Sequence, residues 1–181
     1  RVDDLEDGGQ PNANAGHDYP MNADGLATQT GHQFRTQSVQ GMTADPVTGN
    51  LDITWADNRD GVHDTATPVT HTNVFMATST DKGATWSAPI RVTSGPADKW
   101  MPWPAAYDGK VSIGYMDGTA DYPTRDKYGF TIATSTNGGG SWSYQSASTA
   151  PSDPDHSLWF RPDPGAAPGC DECSLFIGDY N

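Results

Sequence analysis

The sequence has little of the material from which long helices are built. Glu6 and Glu172 are its only glutamates, and only four lysines stand among 181 residues that include 20 glycines and 14 prolines. Glutamate and lysine favour helix interiors, whereas glycine and proline interrupt them. Short runs of threonine, valine, tyrosine and tryptophan between turn residues are typical of β-strands. The sequence therefore predicts an all-β fold.

Positive charge and long apolar runs are scarce as well. Ten lysines and arginines oppose 23 acidic residues, which gives a formal net charge of −13. A chain this acidic has no basic stripe to displace counterions from phosphates, so nucleic acid is excluded as a partner. Anionic membrane surfaces repel it, and no apolar run approaches the roughly 20 residues that span a bilayer. Nucleic-acid and membrane functions are therefore set aside.

Cysteine occurs only as the pair Cys170 and Cys173. A C-x-x-C pair can be half of a zinc site, a redox dithiol or a local disulfide. A zinc site would need two further ligands and no second cysteine pair exists, while the flanking sequence does not resemble the βαβ unit of a redox motif. The pattern favours a disulfide that staples a loop, which predicts an oxidising, secreted or extracellular location.

An internal repeat organises the chain. The segment Ser79–Trp86, which reads S-T-D-K-G-A-T-W, returns 56 residues later as Ser135–Trp142, S-T-N-G-G-G-S-W. Two flanking runs also match: 74–78 with 130–134, and 49–57 with 109–117. These runs alternate in polarity as strands with two distinct faces do.

The repeat predicts one four-stranded unit present twice. The predicted strands are 38–44, 51–55, 73–78 and 88–93 in the first copy, and 101–107, 111–115, 128–134 and 143–148 in the second. Four antiparallel strands that recur at this period are typical of a β-propeller blade. The predicted blades span about 38–94 and 98–150, an irregular arm occupies 1–30, and a further blade begins at 170–181.

The repeated box has a mechanical interpretation. The carboxylate of Asp81 can accept backbone N–H groups across its own turn, and Asn137 can do the same without charge. A glycine at the fifth position supplies the positive φ of the turn, and the closing tryptophan packs into the blade. The box residues are Ser79, Asp81, Gly83 and Trp86 in the first copy, and Ser135, Asn137, Gly139 and Trp142 in the second.

This box resembles the Asp box (BNR repeat) of sialidases and related six-bladed β-propellers. Outside the boxes, 55–61, 114–117 and 176–181 resemble secreted bacterial sialidase-like proteins, so the likeness covers roughly residues 30–181. It implies antiparallel four-stranded blades, of which this chain holds about two to three. It also implies an exo-acting glycoside hydrolase for sialic acid or related acidic glycans, or a fragment of one.

The resemblance implies an arginine clamp for the substrate carboxylate and a general acid near it. The Arg-Ile-Pro motif that carries the first clamp arginine in sialidases does not occur in this sequence. On the loops after the second strands, Asp57 or Asp60 is the candidate acid. The clamp candidates are Arg35, Arg59, Arg125 and Arg161. The alternative is that these side chains are solvated turn residues and surface ion pairs.

Calcium is a second use for the same loops. Asp57, Asn58 and Asp60 are hard oxygen donors at short spacing, as are Asp153 and Asp155, so a structural Ca²⁺ is a hypothesis beside plain turn capping.

Aromatic side chains suggest sugar stacking. Trp100, Tyr122 and Trp159 lie at predicted loop edges and are candidate ligand-binding residues, whereas Trp55 and Trp103 lie within predicted strands, where core packing is favoured.

Length bears on the architecture. A closed propeller of six such units would need roughly 350 residues. We therefore expect the remaining blades in the same protein or in a homo-oligomer. The alternative function is a non-catalytic carbohydrate-binding propeller that closes by self-association or is attached to another secreted enzyme.

Overall fold

The computed structural model describes residues 41–57, 59, 71–122 and 127–152. They form two four-stranded antiparallel sheets with strand orders β1-β2-β3-β4 and β5-β6-β7-β8. The strands are β1 Gly41–Ala44, β2 Leu51–Asp57, β3 Asn73–Ser79, β4 Ile90–Arg91, β5 Lys99–Tyr107, β6 Lys110–Asp117, β7 Gly129–Ser135 and β8 Ser143–Ser146. A short 3₁₀ turn at Gly118–Asp121 is the only helical segment among the described residues. The all-β prediction is confirmed.

Each sheet is a meander in which every strand pairs with its neighbours in the sequence. The registers of β2 on β3 and of β6 on β7 are the same across the repeat, with Trp55 opposite Phe75 and Tyr115 opposite Thr131. The predicted fourth strand, 88–93, is reduced to Ile90–Arg91. Pro89 has no N–H to donate, which shortens the ladder on that side. The predicted arm at 1–30 and the further blade at 170–181 lie outside the described residues.

The two sheets pack against each other through unlike faces. Between them lie Val74 and Met76 of the first sheet and Ile113 and Ala133 of the second, all buried in one core cluster. In the repeat, Ala133 corresponds to Ala77. Ala77 does not belong to this cluster but packs in a separate one on the opposite face of the first sheet.

The preceding position of the repeat, Met76 in the first sheet and Ile132 in the second, also differs in burial between the two sheets. Met76 corresponds to Ile132, and whereas Met76 is buried between the sheets, Ile132 is about one third exposed. Alternation along a strand places residues 132 and 133 on opposite faces. The stacking is therefore head to tail. The first sheet packs on the second with one of its faces, and the corresponding face of the second sheet points outward.

Two contacts at the inner strands fix this stacking. β1 approaches β5 so closely that a Cβ built on Gly41 would lie 2.4 Å from Cδ of Pro104 and 3.0 Å from the carbonyl oxygen of Pro102. Only glycine fits at that distance, so Gly41 is the point where the backbones of the two sheets meet.

The second contact is made by the Asp45 carboxylate. It accepts the backbone N–H groups of Val47 at 2.8 Å and Thr48 at 3.2 Å in its own turn. It also accepts those of Asp108 at 3.1 Å and Gly109 at 2.6 Å in the β5–β6 turn. Burial opposes ionisation, but the N–H groups of Gly109, Val47 and Thr48 hold the pKa of Asp45 well below its usual range. One carboxylate thus joins the corresponding turns of the two sheets.

A β-bulge interrupts β5. Trp100 lies opposite Met116 and Trp103 opposite Gly114, so β5 carries one residue more than β6 between these pairs. Met101 has a positive φ of 50° within the bulge. A bulge of this kind changes the direction of the side chains that follow it.

No helix among the described residues has the length and apolarity that a membrane crossing requires.

Candidate functional site

The two boxes have the same hydrogen-bonded structure. In the first, the Ser79 hydroxyl donates to Asp81 at 2.8 Å and accepts the N–H of Gly83 at 2.8 Å. In the second, the Ser135 hydroxyl donates to Asn137 at 2.9 Å and accepts the N–H of Gly139 at 2.8 Å. Both glycines have positive φ, 88° and 90°. The predicted role of the box as a hairpin clasp is therefore seen in both copies.

The change from Asp81 to Asn137 at the third position of the box reverses the direction of one hydrogen bond. The Thr85 hydroxyl donates to the Asp81 carboxylate, whereas the side-chain amide of Asn137 donates to the Ser141 hydroxyl at 3.0 Å. The backbone N–H that follows is accepted in both boxes, from Thr85 at 2.8 Å and from Ser141 at 2.9 Å. The second box therefore keeps the clasp without a charge.

We expect the ionised Asp81 carboxylate of the first box to stabilise the fold, and we expect this contribution to be lost at acidic pH. The Thr85 hydroxyl and N–H, followed by the Ser79 hydroxyl, lower the pKa of Asp81 from 3.8 to about 2. Because the folded-state pKa is depressed, this contribution is present above pH 4 and is lost as the pH falls towards 2. We expect thermal melts between pH 5 and pH 2.5 to show a smaller loss of melting temperature for Asp81→Asn than for the wild type. An equal loss in both proteins would contradict the assignment.

The two box tryptophans are placed according to the head-to-tail stacking. Trp86 packs on the outward cluster of the first sheet, with Trp55 and Phe75. Trp142 packs on the cluster between the sheets. A Cβ built on Gly139 would lie 2.2 Å from Cδ1 of Ile90, so the second box sits directly on the first sheet.

Asp57, a candidate acid and calcium ligand, lies at the end of β2 and is fully buried. Arg59 donates to both of its oxygens through Nε, at 3.0 and 2.8 Å, and also through Nη2. Trp55 adds its indole N–H at 3.0 Å. The Arg59 guanidinium in turn lies 5.2 Å from the ring centroids of both Trp55 and Phe75. The candidate acid and one candidate clamp arginine therefore neutralise each other.

The carboxylate at the corresponding position of the second sheet is held differently. Asp117 accepts the Thr119 N–H at 2.9 Å and the Thr131 hydroxyl at 2.8 Å. Its strand partner is Lys99, a fully buried lysine whose ammonium donates to the carbonyl oxygen of Ala97 at 2.6 Å. Burial lowers the pKa of Lys99, and the charges of Asp117 and Asp98 oppose that effect. Asp117 thus acts on a nearby buried lysine of β5 through its charge, whereas Asp57 is directly bonded to an arginine that follows β2.

A histidine lies at the same end of the sheets. His71 Nδ1 is 3.5 Å from Oδ2 of Asp98, whose other oxygen accepts the Thr72 N–H at 2.9 Å. The His71 ring meets the Tyr122 ring edge to face, with centroids 5.6 Å apart. The carbonyl oxygen of Asp98 also accepts the Gly118 N–H at 3.0 Å. Asp98 thereby connects the start of β3 with the turn that follows β6.

The aromatic candidates separate into buried and exposed rings. Trp100 is 4 % exposed and packs edge to face on Tyr128, with centroids 5.6 Å apart, so it offers no free ring face. Tyr122 is 40 % exposed beside His71. Trp103, for which the sequence favoured core packing, is 60 % exposed because the bulge re-aims it. Trp55 is buried, as its strand position favoured.

The other predicted site residues lie outside the part of the chain that the structure describes. They are Arg35, Asn58, Asp60, Arg125, Asp153, Asp155, Trp159, Arg161, Cys170 and Cys173. Within the described part, no three His, Cys, Asp or Glu side chains group closely enough to hold a metal ion. The calcium and disulfide hypotheses therefore stay predictions.

Sequence reasoning did not single out His71 or Asp98, which the structure brings together. His71 lies outside any metal-binding spacing, and Asp98 is 27 residues away from it in the chain. The signal that could have drawn attention to Asp98 is its place directly before β5, at the junction of the two repeats. No model of a protein family and no curated protein matches this chain.

Proposed function

We propose that this chain is a two-blade part of a secreted, sialidase-like β-propeller protein that hydrolyses terminal acidic sugars of glycans. The paired clasps, which share the same serine-centred hydrogen bonds in both sheets, carry the proposal. They occur between the third and fourth strands of each sheet, which is where the Asp boxes of sialidase-like propellers lie.

The head-to-tail stacking supports the propeller part of the proposal. Two sheets that pack through equivalent faces use up that face in both sheets and form a closed pair. Packing through unlike faces leaves on each sheet the face that the other sheet uses in the contact, so a further sheet can pack on either side. Ile132 and Phe130 on the outward face of the second sheet correspond to Met76 and Val74, which are buried between the sheets. A further sheet of the same repeat, in this protein or in a second copy, would cover that face.

The loop end of the sheets supports the glycan part. Asp57, Asp98 and Asp117 all lie where the chain leaves or enters the strands on the side of the long loops. Propeller active sites form where such loops converge. Arginine and carboxylate side chains on these loops suit a substrate carboxylate and a glycosidic leaving group.

A second candidate is a non-catalytic carbohydrate-binding propeller. It is favoured by the Asp57–Arg59 pair, since the Asp57 carboxylate is fully buried and both of its oxygens already accept hydrogen bonds from neighbouring side chains. Catalysis would then require Asp60 as the acid, with the clamp built from arginines other than Arg59.

Incubation of the full chain with 4-methylumbelliferyl sialoside distinguishes the two candidates. Fluorophore release that Asp60→Asn reduces at least about 100-fold supports hydrolysis with that residue as general acid. Asp108→Asn, in the turn at the opposite end of the sheets, is the matched control and should release fluorophore at the wild-type rate. Binding of 3′-sialyllactose without release supports the binding module, and absence of both contradicts the glycan-directed proposal.

A further inference from the structure

We infer that Asn137 is a site of deamidation, at which loss of the side-chain amide converts the second box into an acidic box like the first. Asn137 is followed by Gly138, and this is the only Asn-Gly dipeptide in the sequence. The inference goes beyond the proposed function and does not depend on it, because it rests on the chemistry of one dipeptide and on the comparison of the two boxes.

The reaction takes place within the dipeptide and consumes only water. The backbone nitrogen of Gly138 loses its proton and attacks Cγ of Asn137, so that a C–N bond forms and the side-chain nitrogen leaves as ammonia. The product is a five-membered succinimide ring. Water that adds at Cγ opens the ring to an aspartate side chain, whereas water that adds at the main-chain carbonyl carbon opens it to an isoaspartate linkage. Overall, a carboxamide and water give a carboxylate and ammonium, without oxidation or reduction.

The first structural argument is access to the attacking nitrogen. Asn137 is exposed, and no atom of the described chain, apart from the chain neighbours, lies within 4 Å of a Cβ built on Gly138. Gly138 has a positive φ of 66° and carries no side chain that would shield its nitrogen. Glycine also moves between backbone conformations at little cost. The rotation that brings the nitrogen to Cγ therefore meets no packed neighbour at Gly138.

The second argument is the state of the carboxamide. Its oxygen accepts the Ser135 hydroxyl at 2.9 Å and the Ser141 N–H at 2.9 Å. Two donors at a carbonyl oxygen stabilise the negative charge that develops there when a nucleophile adds to the carbon. The nitrogen that leaves lies 3.0 Å from the Ser141 hydroxyl, which can pass it a proton and recover one from water.

The third argument is the fit of the product. At the equivalent position of the first box, the Asp81 carboxylate accepts both the hydroxyl and the N–H of Thr85. These two groups, followed by the Ser79 hydroxyl, lower the pKa of Asp81 to about 2. Ser141 carries a hydroxyl where the first box has Thr85, so rotation of that hydroxyl would give an aspartate at position 137 the same donors. The aspartate product therefore keeps the clasp, whereas isoaspartate lengthens the backbone of the turn and loses it.

The test is incubation of the full chain in warm, mildly alkaline buffer, followed by mass spectrometry of the chymotryptic peptide 131–142. Asn137 is the only asparagine of this peptide. We expect the peptide to gain about 1 Da as the amide is replaced by a carboxylic acid. Asn50 and Asn73 are followed by leucine and valine, whose side chains shield the backbone nitrogen, and these internal controls should keep their amides over the same period.

Gly138→Lys is the matched variant. Lys82 occupies the equivalent position of the first box with a φ of 61°, close to that of Gly138, so a lysine is compatible with this turn. The added side chain shields the attacking nitrogen and restricts its approach. We expect the variant to lose the Asn137 amide at least about tenfold more slowly than the wild type.

The inference is overturned if Asn137 keeps its amide, or loses it no faster than Asn50. Equal rates in the wild type and in a folded Gly138→Lys also overturn it, because the Gly138 nitrogen is then not the nucleophile. The comparison among the asparagines of the wild type does not depend on whether the variant folds. Asn137→Asp tests the product: it should melt at the wild-type temperature near neutral pH, and a clearly lower melting temperature would overturn the conversion to an intact acidic box.

Discussion

Replacing Gly41 with alanine is expected to lower the stability of the protein by about 2–3 kcal/mol, or the melting temperature by roughly 5–10 °C. The added methyl group would lie 2.4 Å from Cδ of Pro104, 3.0 Å from the carbonyl oxygen of Pro102 and 3.2 Å from the Thr54 hydroxyl. A proline ring and a backbone carbonyl cannot turn away as a flexible side chain can. The two sheets must therefore separate at β1 and β5, and thermal denaturation followed by circular dichroism measures the cost.

Gly129→Ala is the matched control for this substitution. Gly129 also lies in a strand, and the nearest atom to its built Cβ is the Ser148 hydroxyl oxygen at an ordinary 3.5 Å. It should change the melting temperature by no more than a degree or two. If Gly41→Ala and Gly129→Ala melt alike, the close approach of β1 to β5 is not a feature of the folded protein.

Replacing Asp57 with alanine is expected to destabilise the protein by about 3 kcal/mol. The substitution leaves the Arg59 guanidinium and the Trp55 indole N–H without their acceptor in a largely buried place. The size of the loss comes from removing a buried acceptor on which the Arg59 guanidinium and the Trp55 indole converge, rather than from the net strength of the ion pair. Chemical denaturation of the single variants measures it.

The double variant Asp57→Asn with Arg59→Met provides the control. Methionine keeps apolar contact with the Trp55 and Phe75 rings, and asparagine still accepts the indole N–H. Removing both charges should therefore recover a large part of the stability that Asp57→Ala loses. Equal stability of Asp57→Ala and the wild type would contradict the role of Asp57 as a buried acceptor for Arg59 and Trp55. Asp57 would then again be a candidate acid.

The features that sequence reasoning predicted are those determined by short stretches of chain. The strands follow from alternation within five to nine residues, and the box is closed by hydrogen bonds that reach at most four residues, as from Ser79 to Gly83. Because the same local pattern occurs twice, the repeat can be recognised from the sequence alone. The match of predicted and observed strands in both copies reflects that local control.

The features that sequence reasoning missed depend on distant partners or on irregular backbone. Asp45 is bonded to Gly109, 64 residues away, and nothing near Asp45 in the sequence indicates that contact. The exposure of Trp103 follows from a bulge that alternation alone does not predict. The pattern placed Asp57 and Arg59 close together, but it could not decide whether they face a ligand or each other.

The two repeats stack head to tail, so that equivalent faces point the same way, and nuclear Overhauser effects from the two box tryptophans test this arrangement. We expect contacts from the Trp142 indole to the methyl group of Met76, and from Trp86 to Phe75 and Ala77 but to no residue of the second sheet. Contacts that place both tryptophans in one shared core between the sheets would contradict it.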